Sequence, residues 1–550
     1  MSLKALFGVL ALGMAALAGA ATVQVAEGAL SGARLDGVEA FKGVPFAAPP
    51  LGELRWRAPQ APAAWRGVRD ATRYAPACMQ GGEPWPPGST AELQSEDCLY
   101  LNVWRPAGLA GQAKLPVMVW IPGGGWTDGS GTAPLYDGSR LARHGVILVT
   151  INYRLGAFGF LAHEALSRES PSDSSGNYGL RDQVAALRWI KANIAAFGGD
   201  PGRVTIFGQS AGSMSANLLT VSPPARGLFQ RVIGQSGAVF IPPEMAGGDA
   251  FRLKGAHQEG ARFAAALGAA TIDDLRRVPA PAIVEAQRRF AFHFILDKDM
   301  LPEEPWVAYG EGRQAQVDLL AGWNTDEGQW FIAGQNISAA NFEQGIADEI
   351  GQFPAPLRPW YQPTSDAQAR AARAAFEGDL RMAYDTWTWL RLHEQTGCAR
   401  VFAYRFEQAP SVTEGAPFFG MGATHGVEMP YVFDALASQR WQVRPSDRQL
   451  ARSMAAYWTN FAKSGDPNGE GLAPWPQYRA TAPGQPPQVM QLGSKLRAAP
   501  ERGVGALHAI DALFQSFRPR DAAAQGAEPA STKPSTSSKA TRCTGRPSSM

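Results

Sequence analysis

Apolar residues in this chain gather into short, largely β-branched runs, and between the runs they recur at helical spacing. Residues 117–121, 146–149, 204–207, 317–321 and 401–406 are such runs, each bounded by turn formers. Their length and boundaries suit buried strands rather than helices. Val184, Leu187, Ile190 and Ile194 share one face of a helix read over 180–196, which Gly198-Gly199-Asp200-Pro201 ends. A last long helix reads over 448–463 and closes at Gly465-Asp466-Pro467-Asn468-Gly469. Strands alternating with helices predict an α/β fold with a large central, mostly parallel sheet covered on both faces.

The two ends read differently from this body. Lys4 precedes an apolar run over 5–17 and then Ala18-Gly19-Ala20, which puts small residues where a signal peptidase requires them. Residues 1–20 are therefore expected to be a signal peptide, and the remainder to be exported, periplasmic or secreted. The run is too short for a membrane anchor, and no other uninterrupted apolar stretch reaches about 18 residues. No cysteine near residue 20 is placed to take a lipid, so stable membrane insertion is not expected. After Phe517 the composition turns to Ala, Ser, Thr, Pro and Lys, and 519–550 are expected to form a disordered tail. Length alone suggests several domains, but the catalytic candidates run from residue 124 to residue 425, which makes 21–518 one domain.

Composition adds three limits. A hydrophobic fraction of 45%, with 60 Gly and 42 Pro, suits a large, loop-rich globular body. A formal net charge of +2 without a basic cluster argues against nucleic acid as a partner. Cys78 and Cys98 are near enough in sequence to close a loop worth about 3 kcal/mol in an oxidising compartment. Cys398 and Cys543 either pair, or stand as a buried residue and a loose tail thiol.

The chemistry begins at Gly208-Gln209-Ser210-Ala211-Gly212, set between the strand candidate 204–207 and a helical stretch from Ser213. A serine on such a tight strand-to-helix turn is exposed to attack an acyl carbon. Ser236 fails the same pattern because its fifth residue is Ala238. The base must be a histidine; of those after Ser210, His257, His293, His393 and His508 sit in helical or apolar stretches, whereas His425 stands in a loop-like Gly-Ala-Thr-His-Gly setting. The acid should follow a strand, and Asp326 and Glu327 both follow 317–321; composition does not choose between them. Gly123-Gly124-Gly125 follows the strand ending at Ile121 and can present unobstructed N–H groups to a developing oxyanion.

Several stretches together resemble the type-B carboxylesterases, the cholinesterase-like branch of the α/β-hydrolases. They are Phe41-Lys42-Gly43-Val44-Pro45-Phe46-Ala47, Ser95-Glu96-Asp97-Cys98-Leu99-Tyr100-Leu101-Asn102, Gly123-Gly124-Gly125-Trp126, Asn152-Tyr153-Arg154, and Asn177-Tyr178-Gly179-Leu180-Arg181-Asp182-Gln183 on to Ser210. The resemblance implies an α/β-hydrolase fold with Ser210 as nucleophile, Glu327 as acid and His425 as base. It implies an oxyanion hole from the N–H groups of Gly124, Gly125 and Ala211, a Cys78–Cys98 disulfide, and no metal or organic cofactor. Trp126, Phe290 and Phe292 become candidates for the substrate pocket.

The chain also departs from that pattern. Pro122 stands before the glycine run where relatives carry His or Tyr, and Lys298 follows Leu296-Asp297 where Gly is usual. Gln209 replaces the acidic residue that precedes the serine in cholinesterases, and Gly88 stands where they carry a tryptophan ten residues before Cys98. The last two argue against a choline ester, whose quaternary ammonium would lose its aromatic and anionic partners. The expected activity is hydrolysis of a small-molecule carboxylic ester through an acyl-enzyme, with a lipase or an esterase for a bulky natural or xenobiotic ester as the alternative. A non-catalytic binding module of the same fold would lack members of the triad, and all three are present here.

Overall fold

Continuous apolar runs form strands buried on both sides, and in the computed structural model they pair into one large sheet. The structure describes residues 21–82, 85–87, 93–109, 113–480 and 485–518. The expected signal peptide and tail, like Gly88 and Cys543, lie outside the described residues. Seven strands run parallel in the order Ile147–Ile151, Leu115–Ile121, Gly199–Gln209, Arg231–Gln235, Asp318–Asn324, Val401–Phe406 and Gln488–Leu492. Antiparallel strands extend both edges, through Tyr100–Pro106 on one side and Arg497–Pro500 on the other.

Alternation along Leu115–Ile121 shows why its sequence is apolar throughout. Val117, Val119 and Ile121 face one core with Leu180, Val184 and Leu187 of the Tyr178–Asn193 helix. Met118 and Trp120 face the other, where Phe433 and, from the Pro445–Ser464 helix, Trp458 also pack. The helix read over 180–196 is Tyr178–Asn193 followed by a tighter turn, Ile194–Phe197. The helix read over 448–463 is Pro445–Ser464, begun by Asp447, whose carboxylate accepts from Arg444 N at 2.8 Å, and ended by Gly465 at φ 72°. Motif residues also carry structure: Arg154 and Asp182 form a buried ion pair at 2.7 Å, and Arg55 pairs with Glu96.

Strand order positions the site. The chain leaves Leu115–Ile121, adds Ile147–Ile151 on one side, then returns to place Gly199–Gln209 on the other. The reversal opens a crevice at the carboxyl ends of Leu115–Ile121 and Gly199–Gln209, the place where ligands settle in open α/β sheets. The glycine run follows the first of these strands and Ser210 follows the second.

Candidate active site

Ser210 occupies φ 56°, ψ −128° between the Gly199–Gln209 strand and the Ala211–Val221 helix. This backbone is costly for a residue with a Cβ, and its surroundings hold it. Ser210 N donates to Gln235 O, and Met214 N donates to Ser210 O, each at 2.9 Å. The flanking glycines are steric requirements: a Cβ on Gly212 would lie 2.0 Å from Ile121 O, and one on Gly208 would lie 2.5 Å from Gly212 C.

His425 and Glu327 meet across 98 residues of sequence. His425 Nδ1 is 2.6 Å from Glu327 Oε2, and each side chain is only 2% exposed. Glu327 Oε1 accepts from Asn324 N at 2.7 Å, which fixes the carboxylate at the end of its strand. Asp326 turns outward instead, accepting from Ala423 N at 2.8 Å. With the Nδ1 proton on the Glu327 side, His425 Nε2 is an acceptor, and Gln209 Nε2 approaches it at 3.1 Å. The other histidine candidates are engaged elsewhere: His393 with Val317 O, His257 with Ser167, His293 with Phe294 O, and His508 against the Trp387 ring. Ser236 follows the neighbouring Arg231–Gln235 strand and is fully buried.

A third carboxylate, not singled out from sequence, lies behind the pair. Glu428 is fully buried and accepts from Asn324 Nδ2 at 2.7 Å and from Gln235 Nε2 at 3.1 Å. Burial, and then the nearby Glu327, raise its pKa above the ordinary carboxylate value. Asn324 thus links Glu327, Glu428 and, through Thr424 O at 2.7 Å, the loop that carries His425. The only sequence signal for Glu428 is its place three residues after His425.

Gly124 and Gly125, at φ 109° and 64°, begin a tight coil after Ile121. Their N–H groups, and that of Ala211, donate to no acceptor among the described residues. All three residues border a cavity of about 880 Å³ together with Ser210 and His425. Trp85, Trp126, Trp330, Phe331 and Phe418 supply its aromatic walls. Phe290 and Phe292 border a second cavity of about 440 Å³, which shares Gly125, Trp126 and Met214 with the first.

Cys78 and Cys98 are joined by a disulfide. Cys398 is partly buried and is not a free thiol. No group of three or more His, Cys, Asp or Glu placed to hold a metal occurs among the described residues, and no helix there is long and apolar enough to cross a membrane.

A half-buried serine on a strained turn, a carboxylate-oriented imidazole and converging N–H groups around one cavity can carry acyl transfer. Comparison with known proteins points the same way. Residues 19–504 match the carboxylesterase family. The chain is 37% identical over 502 residues to fumonisin B1 esterase of Sphingopyxis macrogoltabida, covering 87% of each protein. It is 37% identical over 477 residues to para-nitrobenzyl esterase of Bacillus subtilis, covering 82% of this chain and 91% of that one. A solved PNB esterase structure superposes with a TM-score of 0.75 at 33% identity, over 89% of this chain and 99% of that one. A match of this extent settles the family: the chain belongs to the carboxylesterase family.

Proposed function

We propose that this hydrolase of carboxylic esters works through a covalent acyl-enzyme on Ser210. Ser210 Oγ attacks the ester carbonyl while His425 Nε2 takes its proton. The imidazolium so formed is stabilised by Glu327, and the N–H groups of Gly124, Gly125 and Ala211 receive the oxyanion. The tetrahedral adduct collapses, the alkoxide leaves with the proton from His425, and water repeats the sequence to free the acid. The observation that carries this reading is the Glu327–His425 pair at 2.6 Å, whose imidazole borders the same cavity as the strained Ser210.

Two adjoining cavities of about 880 and 440 Å³ favour a bulky ester over a small one. Gln209, neutral where an acidic residue would attract a quaternary ammonium, disfavours choline esters. We also propose that residues 1–20 are removed on export, which N-terminal sequencing of the exported protein tests; retention of Met1 would refute it. The mechanism is tested by stopped-flow hydrolysis of p-nitrophenyl butyrate. A burst of p-nitrophenol stoichiometric with enzyme is expected wherever deacylation limits turnover, and Ser210→Ala should abolish both burst and turnover. Turnover by Ser210→Ala above a few per cent of wild type would refute the mechanism.

A further inference from the structure

The coil that carries Gly124 and Gly125 has no slack. Gly124 O accepts from the N–H groups of Thr127 at 3.1 Å and Asp128 at 3.0 Å. A Cβ on Gly129, φ 104°, would lie 2.2 Å from Gly123 O, and one on Gly124 would lie 2.3 Å from Asp128 O. Residues 123–124 and 128–129 therefore run in close approach with no room for a side chain between them, so a shift of Gly129 toward Gly123 is passed to the glycine run.

The coil is fastened from outside. Tyr153 Oη donates to Pro122 O at 2.8 Å, and Gly131 N donates to Asn152 Oδ1 at 2.9 Å, so the strand that ends at Ile151 holds its entry and exit. The Asp128–Gly129 side is held by the disulfide loop. Gln80 Oε1 accepts from Gly129 N at 2.9 Å, and Gln80 Nε2 donates to Gly129 O at 3.2 Å and to Cys78 O at 3.0 Å. One side-chain amide thus pairs with both polar atoms of Gly129, as a neighbouring strand would. Beside it Gly82 N donates to Asp128 Oδ1 at 2.7 Å. Gln80 is itself held, its N–H donating to Gln94 Oε1 at 3.1 Å, where Gln94–Ser95 pairs with Ala77–Cys78 next to the Cys78–Cys98 bridge.

On the reading that Gly124, Gly125 and Ala211 hold the oxyanion, we infer that Gln80 is a positioning residue for that hole, through which the disulfide loop braces the glycine coil. Gln80 does not border the catalytic cavity, and its hydrogen bonds to the glycine coil are those to Gly129. Oxyanion donors act through alignment, and a misplacement of about 1 Å costs on the order of 10²-fold in rate. A merely structural glutamine would instead lower the melting temperature and leave turnover of the folded enzyme intact.

Gln80→Ala and the shape-preserving Gln80→Met, made in the full chain, separate these roles. Each is assayed for kcat and KM on p-nitrophenyl butyrate and for inhibition by an alkyl trifluoromethyl ketone, whose adduct with the serine places an oxyanion in the hole. The methyl ketone of the same shape, which binds without that adduct, is the ground-state control. The expected result is a kcat lowered about 10- to 10²-fold with KM within about twofold, a matching loss of trifluoromethyl ketone affinity, and methyl ketone affinity unchanged. Turnover within about twofold of wild type in the folded variants, or equal weakening of both ketones, would overturn the inference. Ser210→Ala, assayed alongside, keeps the layers apart: its retention of turnover refutes the mechanism itself, whereas an inactive Ser210→Ala beside normal Gln80 variants refutes the brace alone.

Discussion

Glu327→Gln and Asp326→Asn, made separately, weigh the two adjacent carboxylates that follow the Asp318–Asn324 strand. The fold dictates how a glutamine would sit. Asn324 N needs an acceptor, which Glu327 Oε1 now supplies at 2.7 Å. The introduced amide keeps its oxygen there and turns its NH₂ toward His425 Nδ1, 2.6 Å from the present carboxylate oxygen. That donor drives the imidazole proton onto Nε2, the nitrogen that accepts from Ser210 in the proposed mechanism. The lost charge adds to this: unit charges about 4 Å apart interact by about 4 kcal/mol at an effective dielectric of about 20, which is about 10³-fold in rate. Charge and tautomer together place the expected loss in kcat at about 10³- to 10⁴-fold, with the fold intact. Asp326→Asn keeps an oxygen for Ala423 N and loses only charge assistance on a part-buried bond, about 1 kcal/mol or about fivefold. The assay is kcat on p-nitrophenyl butyrate beside melting temperature. The reasoning fails if Glu327→Gln keeps more than about a tenth of wild-type kcat, or if Asp326→Asn is the more damaging change.

Other consequences follow from packing and burial. Gly212→Ala pushes a Cβ to 2.0 Å from the Ile121 carbonyl, so turnover should fall at least about 10²-fold and stability by about 1–3 kcal/mol. Gly310→Ala, with nothing within 4 Å of the new Cβ, is the control that should change neither; a Gly212→Ala enzyme with wild-type kcat would contradict the steric account. Asp385 is fully buried, and burial, opposed by a hydrogen bond from Phe240 and by the charge of Arg518, raises its pKa well above the usual carboxylate value. The folded state therefore holds a proton the unfolded chain has released, and the stability this gives is complete below the unfolded value and lost as pH rises through the folded one. Asp385→Asn cannot ionise, so its melting temperature relative to wild type should climb between pH 4 and pH 8; a difference that is flat with pH would contradict this.

The central parallel strands were legible because both their faces are buried, so runs such as 117–121 are apolar without interruption. Arg231–Gln235 was not, since only Val232 and Ile233 are aliphatic and the strand is recognised by its neighbours rather than by its own pattern. Gly28–Leu35 is rich in glycine and polar residues for the same reason, being a strand only by pairing with Ala21–Val25, Val38–Pro45 and Val68–Ala71. Within the site, Ser210 carried a local signal, because the elbow's glycines flank it directly in sequence, although Gly212 is demanded by the close approach of the distant Ile121 carbonyl. The choice of Glu327 over Asp326 carried none: it is made by the turn after Asn324, which sends Asp326 outward and Glu327 inward. Gln80 and Glu428 were invisible as well, since each matters through contacts with distant backbone or side chains rather than through its own neighbours.

The proposal that Ser210 is the nucleophile is most directly tested by reacting the full chain with a fluorophosphonate and mapping the adduct by peptide mass spectrometry. One adduct per chain on Ser210, formed as activity is lost and absent in Ser210→Ala, is the predicted result. An adduct on Ser213 or Ser236, or full inactivation with Ser210 unmodified, would contradict it.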